Sequence, residues 1–171
     1  MSFMELAKER FSVKAFADKP VEKEKLDKIL EAGNVAPTAA NKQPQRIYVI
    51  QSEEGLKKIN ELCSCIYGAK TVLIVAYDSA EEWKNPLQEG IHSGDQDASI
   101  VATHLMLEAW EQGIGSCWVN YFSNDEVAKA FGLPETEKIV MLLPLGYAPA
   151  DAKPLPTHDA CKPIDETVKY L

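Results

Sequence analysis

Residues 71–77 read Thr-Val-Leu-Ile-Val-Ala-Tyr, an uninterrupted apolar run of the length of one strand. An apolar run without polar alternation is typical of a strand that is covered on both faces. We therefore expect residues 71–77 to form the centre of a sheet.

Other strand patterns and several helical patterns surround this run. Strands are predicted at 46–51, 114–119 and 139–145, and helices at 3–9, after Lys19-Pro20, after Ser52, from Asp95 or Asp97 to Gln112 and after Ser123. These elements alternate irregularly, with too few strand-helix-strand repeats for a doubly wound parallel fold. The pattern favours a single α+β domain over residues 1–171, whose proline-rich end, 148–171, forms an extended arm.

Composition excludes some classes of partner. The chain of 171 residues has 46% hydrophobic and 26% charged residues and a formal net charge of -8, which is typical of a globular domain and opposes binding to nucleic acid or anionic membranes. It has no apolar run that could cross a bilayer and no secretory leader pattern. We therefore expect a cytoplasmic protein.

Metal binding is not expected. The four cysteines lack paired ligand spacing, and neither His92 with its nearby acids nor His104 with Glu108 completes a recognised ligand set. The cysteines are Cys63, Cys65, Cys117 and Cys161. We interpret them as reduced thiols and interpret Asp95 and Asp97 as acids at the N-terminus of a helix.

The loop at 36–46 reads Ala-Pro-Thr-Ala-Ala-Asn-Lys-Gln-Pro-Gln-Arg. Pro37 and Pro44 favour extended geometry on each side, and the small and polar residues between them offer close approach and hydrogen-bonding groups. This composition suits a binding loop for a flat cofactor with polar edges. A solvated connector between a helix and a strand would look the same.

Polar and apolar residues alternate at 10–16, and Arg10, Ser12 and Lys14 therefore project on one side if the segment is extended. Two cations and a hydroxyl together make a plausible phosphate clamp. The alternative is an edge strand whose polar face is simply solvated.

Four stretches follow one another along nearly the whole chain. They are Arg10-x-Ser12-x-Lys14, the loop from Pro37 to Pro44, the helix at 97–112 with the glycine-bearing stretch 113–118, and Pro144-Leu-Gly-Tyr147. In this order they closely resemble the nitroreductase family of FMN-dependent oxidoreductases. On its own, the stretch 113–118 reads as a strand whose backbone a ligand could approach.

The resemblance implies an α/β/α sandwich with a central, mostly antiparallel sheet, in an entwined homodimer with two FMN molecules at the subunit interface. It implies a set of cofactor-binding residues, namely Arg10, Phe11, Ser12, Lys14, Pro37, Thr38, Ala39, Asn41, Asn120, Tyr121, Pro144, Leu145, Gly146 and Lys162. The loop residues would come from the other subunit. The backbone at 120–121 would face flavin N5, and residues 144–146 would line the ring.

The resemblance also implies an enzyme that passes hydride from NADH or NADPH through flavin N5 to a nitroaromatic, a quinone or a related small oxidant in a ping-pong cycle. Lys14 is the residue assigned to catalysis, because its cation, or that of Lys42, would stabilise the charge of the reduced flavin.

The C-terminal arm departs from the family pattern. The expected phosphate-binding arginine is missing, and Lys162, Lys153 or His158 would have to replace it. The alternative function is therefore a non-catalytic dimer that binds or stores flavin.

Overall fold

Four antiparallel strands form the sheet that organises the chain. The structure is a computed structural model that describes residues 2–171. The strands are β1 (Gln45–Ile50), β2 (Thr71–Asp78), β3 (Gly115–Ser116) and β4 (Glu137–Gly146). They lie in the order β1-β2-β4-β3. The apolar run at 71–77 is confirmed as a central strand, because all seven residues are buried.

Helices cover both faces of this sheet. They are α1 (Phe3–Glu9), α2 (Lys23–Asn34), α3 (Glu53–Leu62), α4 (Gly94–Glu111), α5 (Asn124–Phe131) and α6 (Ile164–Thr167), with short 3-10 turns at Ala39–Asn41 and Ser64–Ile66. Core residues of α2 and α4 pack with one face of the sheet, and those of α3 and α5 pack with the other. The predicted α/β/α layering is therefore confirmed.

Successive residues of β2 enter the two separate cores. Leu73 and Val75 face the layer of α2 and α4, whereas Val72 and Ile74 face the layer of α3 and α5. All four are fully buried. This explains why the run has no polar alternation, since a strand between two helical layers has no wet face.

The third strand is shorter than the predicted 114–119. After Ser116, the main-chain N–H of Cys117 still donates to the Pro144 carbonyl oxygen at 3.3 Å. Proline has no N–H to return that bond, so regular pairing stops there. Val119 pairs with Leu142 only as an isolated bridge.

The predicted start of the second helix is also corrected, because α2 begins at Lys23 and not at Lys19-Pro20. Helix starts after serines are confirmed, since the Ser52 hydroxyl accepts from the Gly55 N–H at 3.1 Å and that of Ser123 from the Glu126 N–H at 3.4 Å.

Beyond β4 the chain continues as the predicted extended arm. Nearly all of residues 148–171 are exposed, and only the single turn of α6 is helical. Across residues 2–171, every helix is too short or too polar to cross a bilayer.

Candidate functional site

The segment around Val13 runs beside β3 as an additional edge of the sheet. The Val13 N–H donates to the Ser116 carbonyl oxygen at 2.9 Å, and Ser12 forms a parallel bridge with Ser116. Val13 is buried, whereas Ser12 and Lys14 are exposed. The predicted alternation is therefore confirmed at 12–14, where the hydroxyl and the cation project on the same side, but it does not extend to Ala15, which is exposed like Lys14.

The absence of a side chain at Gly115 lets Val13 pack closely and makes this pairing possible. A Cβ atom there would lie 2.6 Å from Cγ2 of Val13, far inside van der Waals contact. The backbone of the stretch 113–118 is indeed closely approached, but by a side chain of the same protein. Approach of a ligand to the rest of this stretch stays a prediction.

A cavity of about 260 Å³ opens beside this edge of the sheet. Its lining residues come from four separate segments and are Ser12, Lys14, Cys65, Tyr67, Cys117, Trp118, Val119, Asn120, Tyr121 and Leu155. The structure thus brings together four of the predicted site residues, Ser12, Lys14, Asn120 and Tyr121.

Side-chain hydrogen bonds fix the turn after β3. The Trp118 indole N–H donates to Oδ1 of Asn120 at 2.6 Å, and Nδ2 of Asn120 donates to the Val140 carbonyl oxygen at 3.2 Å. Asn120 therefore has a defined orientation. The Tyr121 side chain is 82% exposed and is free to contact a ligand.

Lys14 and Ser12 influence a buried thiol in the floor of the cavity. Burial raises the pKa of Cys117, while the charge of Lys14 and a hydrogen bond with the Ser12 side chain oppose that rise. Cys117 is 5% exposed. It is therefore a buried thiol, and it lies close to both predicted ligands.

The opposite wall comes from the turn between α3 and β2. A hydrogen bond with Cys65, followed by burial, raises the pKa of Tyr67 to about 12. The Cys63 thiol contacts the Tyr121 carbonyl oxygen at 3.7 Å, and burial raises the pKa of this thiol as well. The turn is thereby attached to the segment that carries Asn120 and Tyr121.

Arg10 and Phe11 lie just before this segment. Phe11 packs edge-on against Trp110 with ring centroids 5.1 Å apart. Phe11 does not line the cavity within one chain, and its contact with a cofactor stays a prediction. Arg10 is half-buried, and its guanidinium makes no ion pair with the part of the chain that the structure describes.

The C-terminal arm passes over the same region. Leu155 lines the cavity. Nε2–H of His158 donates to the Lys8 carbonyl oxygen at 2.9 Å, and the His158 ring lies 6.4 Å from that of Phe11. Lys162 is exposed and does not line the cavity.

The loop at 38–43 has an unusual backbone. Ala40, Asn41 and Gln43 have φ values of 50°, 53° and 51°, in the left-handed region that costs non-glycine residues free energy. The Thr38 hydroxyl accepts from the Gln43 N–H at 3.0 Å. Asn41 and Lys42 are exposed at the tip.

A buried carboxylate anchors this loop to α4. The Ala39 N–H donates to Oδ1 of Asp97 at 2.8 Å, and the Ser93 hydroxyl donates to Oδ2 at 2.7 Å. Asp97 is only 2% exposed. Within one chain the loop does not line the cavity that holds Ser12 and Lys14.

Residues 144–146 lie inside β4 and are buried. Pro144 pairs with Val72 and Leu145 with Thr71 across the neighbouring strand. The Leu145 side chain belongs to the core on the α4 side. A contact between this stretch and a flavin ring stays a prediction.

Several cavity residues were not found from the sequence. Tyr67 and Cys65 reach the cavity because the connection between α3 and β2 packs against the segment 117–121. A sequence pattern has no signal for that contact. Trp118 could have been found, since it lies within the stretch 113–118. Among residues 2–171, no three His, Cys, Asp or Glu side chains are grouped so that they could hold a metal ion.

Comparison with known proteins identifies relatives over nearly the whole length. The model of the nitroreductase family matches residues 7–66 and 63–147. A proposed NADH dehydrogenase/NAD(P)H nitroreductase of Archaeoglobus fulgidus is 31% identical over 151 residues, which cover 84% of this chain and 83% of that protein.

Solved structures have the same fold. The crystal structure of a nitroreductase family protein from Clostridium difficile has a TM-score of 0.92 at 39% identity and covers 99% of this chain and 98% of that chain. A proposed nitroreductase from Exiguobacterium sibiricum, crystallised in complex with FMN, has a TM-score of 0.84 at 24% identity and covers 100% of this chain and 98% of that chain.

Proposed function

Because the chain belongs to the nitroreductase family, we propose that it binds FMN and acts as an NAD(P)H-dependent flavin oxidoreductase. Its oxidant would be a nitroaromatic, a quinone or a related small molecule, reduced in a ping-pong cycle. The observation that carries the proposal is the joint projection of Ser12 and Lys14 into the cavity beside Asn120 and Tyr121. Cytoplasmic location stays a prediction.

The free cations near this cavity fit the charge of FMN. Lys14, like Arg10, has no ion-pair partner among residues 2–171, although acids outnumber basic residues in the chain by 26 to 18. Unpaired cations beside a hydroxyl are suited to a phosphate or to the polar edge of a flavin. This donor set supports binding of an anionic cofactor.

The size of the cavity supports a site shared between two subunits. Small-molecule pockets typically occupy about 300–1,000 Å³, and the 260 Å³ cavity lies below that range. The loop at 38–43 presents exposed polar groups and does not line this cavity within its own chain. We propose that the loop of a second copy completes the site with Pro37, Thr38, Ala39 and Asn41.

Exposed apolar side chains also support a homodimer. Ile100 on α4 is 38% exposed, and Phe3 and Met4 on α1 are 66% and 59% exposed. Apolar groups left on two helices mark a surface suited to another protein chain. These exposed side chains therefore support contact with a second subunit.

The protein's own groups would act by binding and electrostatics. FMN, when bound, would supply the redox chemistry needed to transfer hydride from a nicotinamide to the oxidant. Lys14 would lower the free energy of the negatively charged reduced state by placing a fixed cation beside it. Asn120, held by Trp118 and Val140, would present a rigid backbone to the ring edge.

The proposal is tested by an anaerobic absorption spectrum of the purified protein, reconstituted with FMN, before and after addition of NADH or NADPH. We expect bound flavin that is bleached by at least one nicotinamide and recoloured by a quinone or a nitroaromatic. Protein that binds no FMN would refute the proposal. Protein that binds FMN without bleaching would instead favour the non-catalytic flavin-binding dimer, which the missing arginine of the arm suggests.

A further inference from the structure

We propose that Asp97 is a positioning residue that holds the loop at 38–43 in the conformation in which it meets the cofactor. The inference rests on the proposed function, because the loop is taken to contact FMN. It assigns to Asp97 a role beyond that of an acid at a helix N-terminus.

Both carboxylate oxygens of Asp97 are used by groups outside the helical backbone. Oδ1 accepts from the Ala39 N–H at 2.8 Å and Oδ2 from the Ser93 hydroxyl at 2.7 Å. With 2% exposure, the carboxylate has almost no contact with water. Hydrogen bonds to a buried charge are stronger than those between neutral groups, so this contact fixes the loop firmly.

Asp95 is a second acid at the N-terminal end of α4 and provides a comparison. It lies in the same first turn of α4 and is exposed, and its side chain makes no hydrogen bond with the described residues. Both acids have a favourable interaction with the helix dipole. Only Asp97 reaches the loop, so the loop contact is a separate function of that residue.

The loop needs such an anchor because its own bonds are local. Asn41 N–H donates to the Thr38 carbonyl oxygen at 3.0 Å, and Lys42 N–H donates to that of Ala39 at 3.1 Å. These bonds shape the turn but do not attach it to the domain. Left-handed residues such as Ala40 persist only where the surroundings dictate them. The bond from Ala39 to Asp97 supplies that attachment.

Ser93 joins the same carboxylate to a second surface segment. Its hydroxyl also accepts from the Trp83 N–H at 3.2 Å, and its own N–H donates to the Trp83 carbonyl oxygen at 3.0 Å. Trp83 lies next to the bridge between Lys84 and His92. Asp97 thus has a fixed position at the N-terminal end of α4, because Ser93 is hydrogen-bonded both to Asp97 and to Trp83.

The test compares Asp97→Ala, Asp97→Asn and the matched control Asp95→Ala in the full-length protein. Hydrogen exchange of the FMN-free protein measures the loop directly. We expect Asp97→Ala to speed exchange at 38–43 by roughly tenfold or more, with no change at 101–105 of the same helix. Asp97→Asn keeps an acceptor for the Ala39 N–H and should restore most of the protection.

The FMN dissociation constant provides the functional readout. Asp97→Ala should raise it by roughly tenfold to a hundredfold, whereas Asp95→Ala should leave it unchanged. Wild-type protein that fails to bind FMN would overturn the proposed function alone, because the exchange result does not depend on flavin. Unchanged loop exchange in Asp97→Ala, or faster exchange throughout α4, would overturn the positioning role of Asp97.

Discussion

Val13 donates its main-chain N–H to the carbonyl oxygen of Ser116 over 2.9 Å. With the bonds from the Phe16 N–H to the Tyr67 carbonyl oxygen at 3.2 Å and from the Ala17 N–H to the Tyr147 carbonyl oxygen at 2.9 Å, this bond attaches the N-terminal segment to the domain. It therefore determines where Ser12 and Lys14 point, because side chains on either side of a buried residue in an extended segment project together. The placement of Ser12 and Lys14 in the candidate site therefore depends on a backbone contact.

Gly115→Ala is expected to disturb that contact. The added Cβ would lie 2.6 Å from Cγ2 of Val13 and 3.4 Å from the Gly146 carbonyl oxygen. Overpacking of this kind typically costs about 1–3 kcal/mol. We expect a lower free energy of unfolding in urea titrations and weaker FMN binding.

The double variant Val13→Ala, Gly115→Ala separates steric clash from loss of glycine flexibility. Removing the Val13 Cγ atoms makes room for the new Cβ, so part of the FMN affinity lost in Gly115→Ala should return. A double variant that binds FMN no better than Gly115→Ala would show that the clash with Val13 is not the cause.

Lys14→Ala is expected to weaken FMN binding and to slow flavin reduction. The substitution removes an exposed, unpaired cation from the cavity wall, and loss of one charged hydrogen bond corresponds to roughly a tenfold to hundredfold weaker affinity. Flavin fluorescence titration and anaerobic stopped-flow reduction measure the two effects. Lys57→Ala, which removes an exposed cation on α3, serves as the control.

The sheet and its layers could be predicted because they depend on local patterns. The apolar run at 71–77 and the strand near 139–145 carry enough burial signal to locate the two central strands. The alternation at Ser12 and Lys14 was likewise local. The length of β3 was not predicted, since it depends on where Pro144 falls opposite Cys117.

Contacts between distant segments were beyond the reach of sequence patterns. Asp97 reads as a helix acid, and nothing in its neighbourhood indicates a bond to Ala39, 58 positions earlier. Tyr67 follows a turn pattern, yet its ring lines the cavity. Both roles arise from contacts between segments that are distant in the sequence. A sequence pattern does not encode such contacts.

The arm residue that best replaces the missing arginine is expected to be His158. Its Nε2–H donates to the Lys8 carbonyl oxygen at 2.9 Å, which holds the ring close to the Arg10 segment. Nδ1 donates to a phosphate only when the ring is protonated, because in the neutral ring this nitrogen is an acceptor. We expect His158→Ala to weaken FMN binding about twofold to tenfold. The matched variants Lys153→Ala and Lys162→Ala remove cations from exposed parts of the arm.

The affinity of each arm variant is also measured for riboflavin, which lacks the phosphate of FMN. An effect of His158→Ala on FMN but not on riboflavin would locate the side chain at the phosphate. A larger FMN effect in Lys162→Ala would instead support the original prediction that Lys162 is the arm ligand.

Stability at acidic pH is expected to depend on Glu22. Ion pairing with Lys19 at 2.6 Å, then a hydrogen bond from the Tyr147 hydroxyl, lowers the pKa of Glu22 to about 2 from an ordinary value of 4.5. A carboxyl with a lowered folded-state pKa adds stability above its unfolded pKa, and this is lost as the pH falls through the folded value. Between pH 4.5 and 2, urea unfolding of Glu22→Gln should therefore lose less stability than wild type. The same pH dependence of the unfolding free energy in Glu22→Gln and in wild type would contradict this role. So would an equally reduced loss of stability in the exposed control Glu24→Gln.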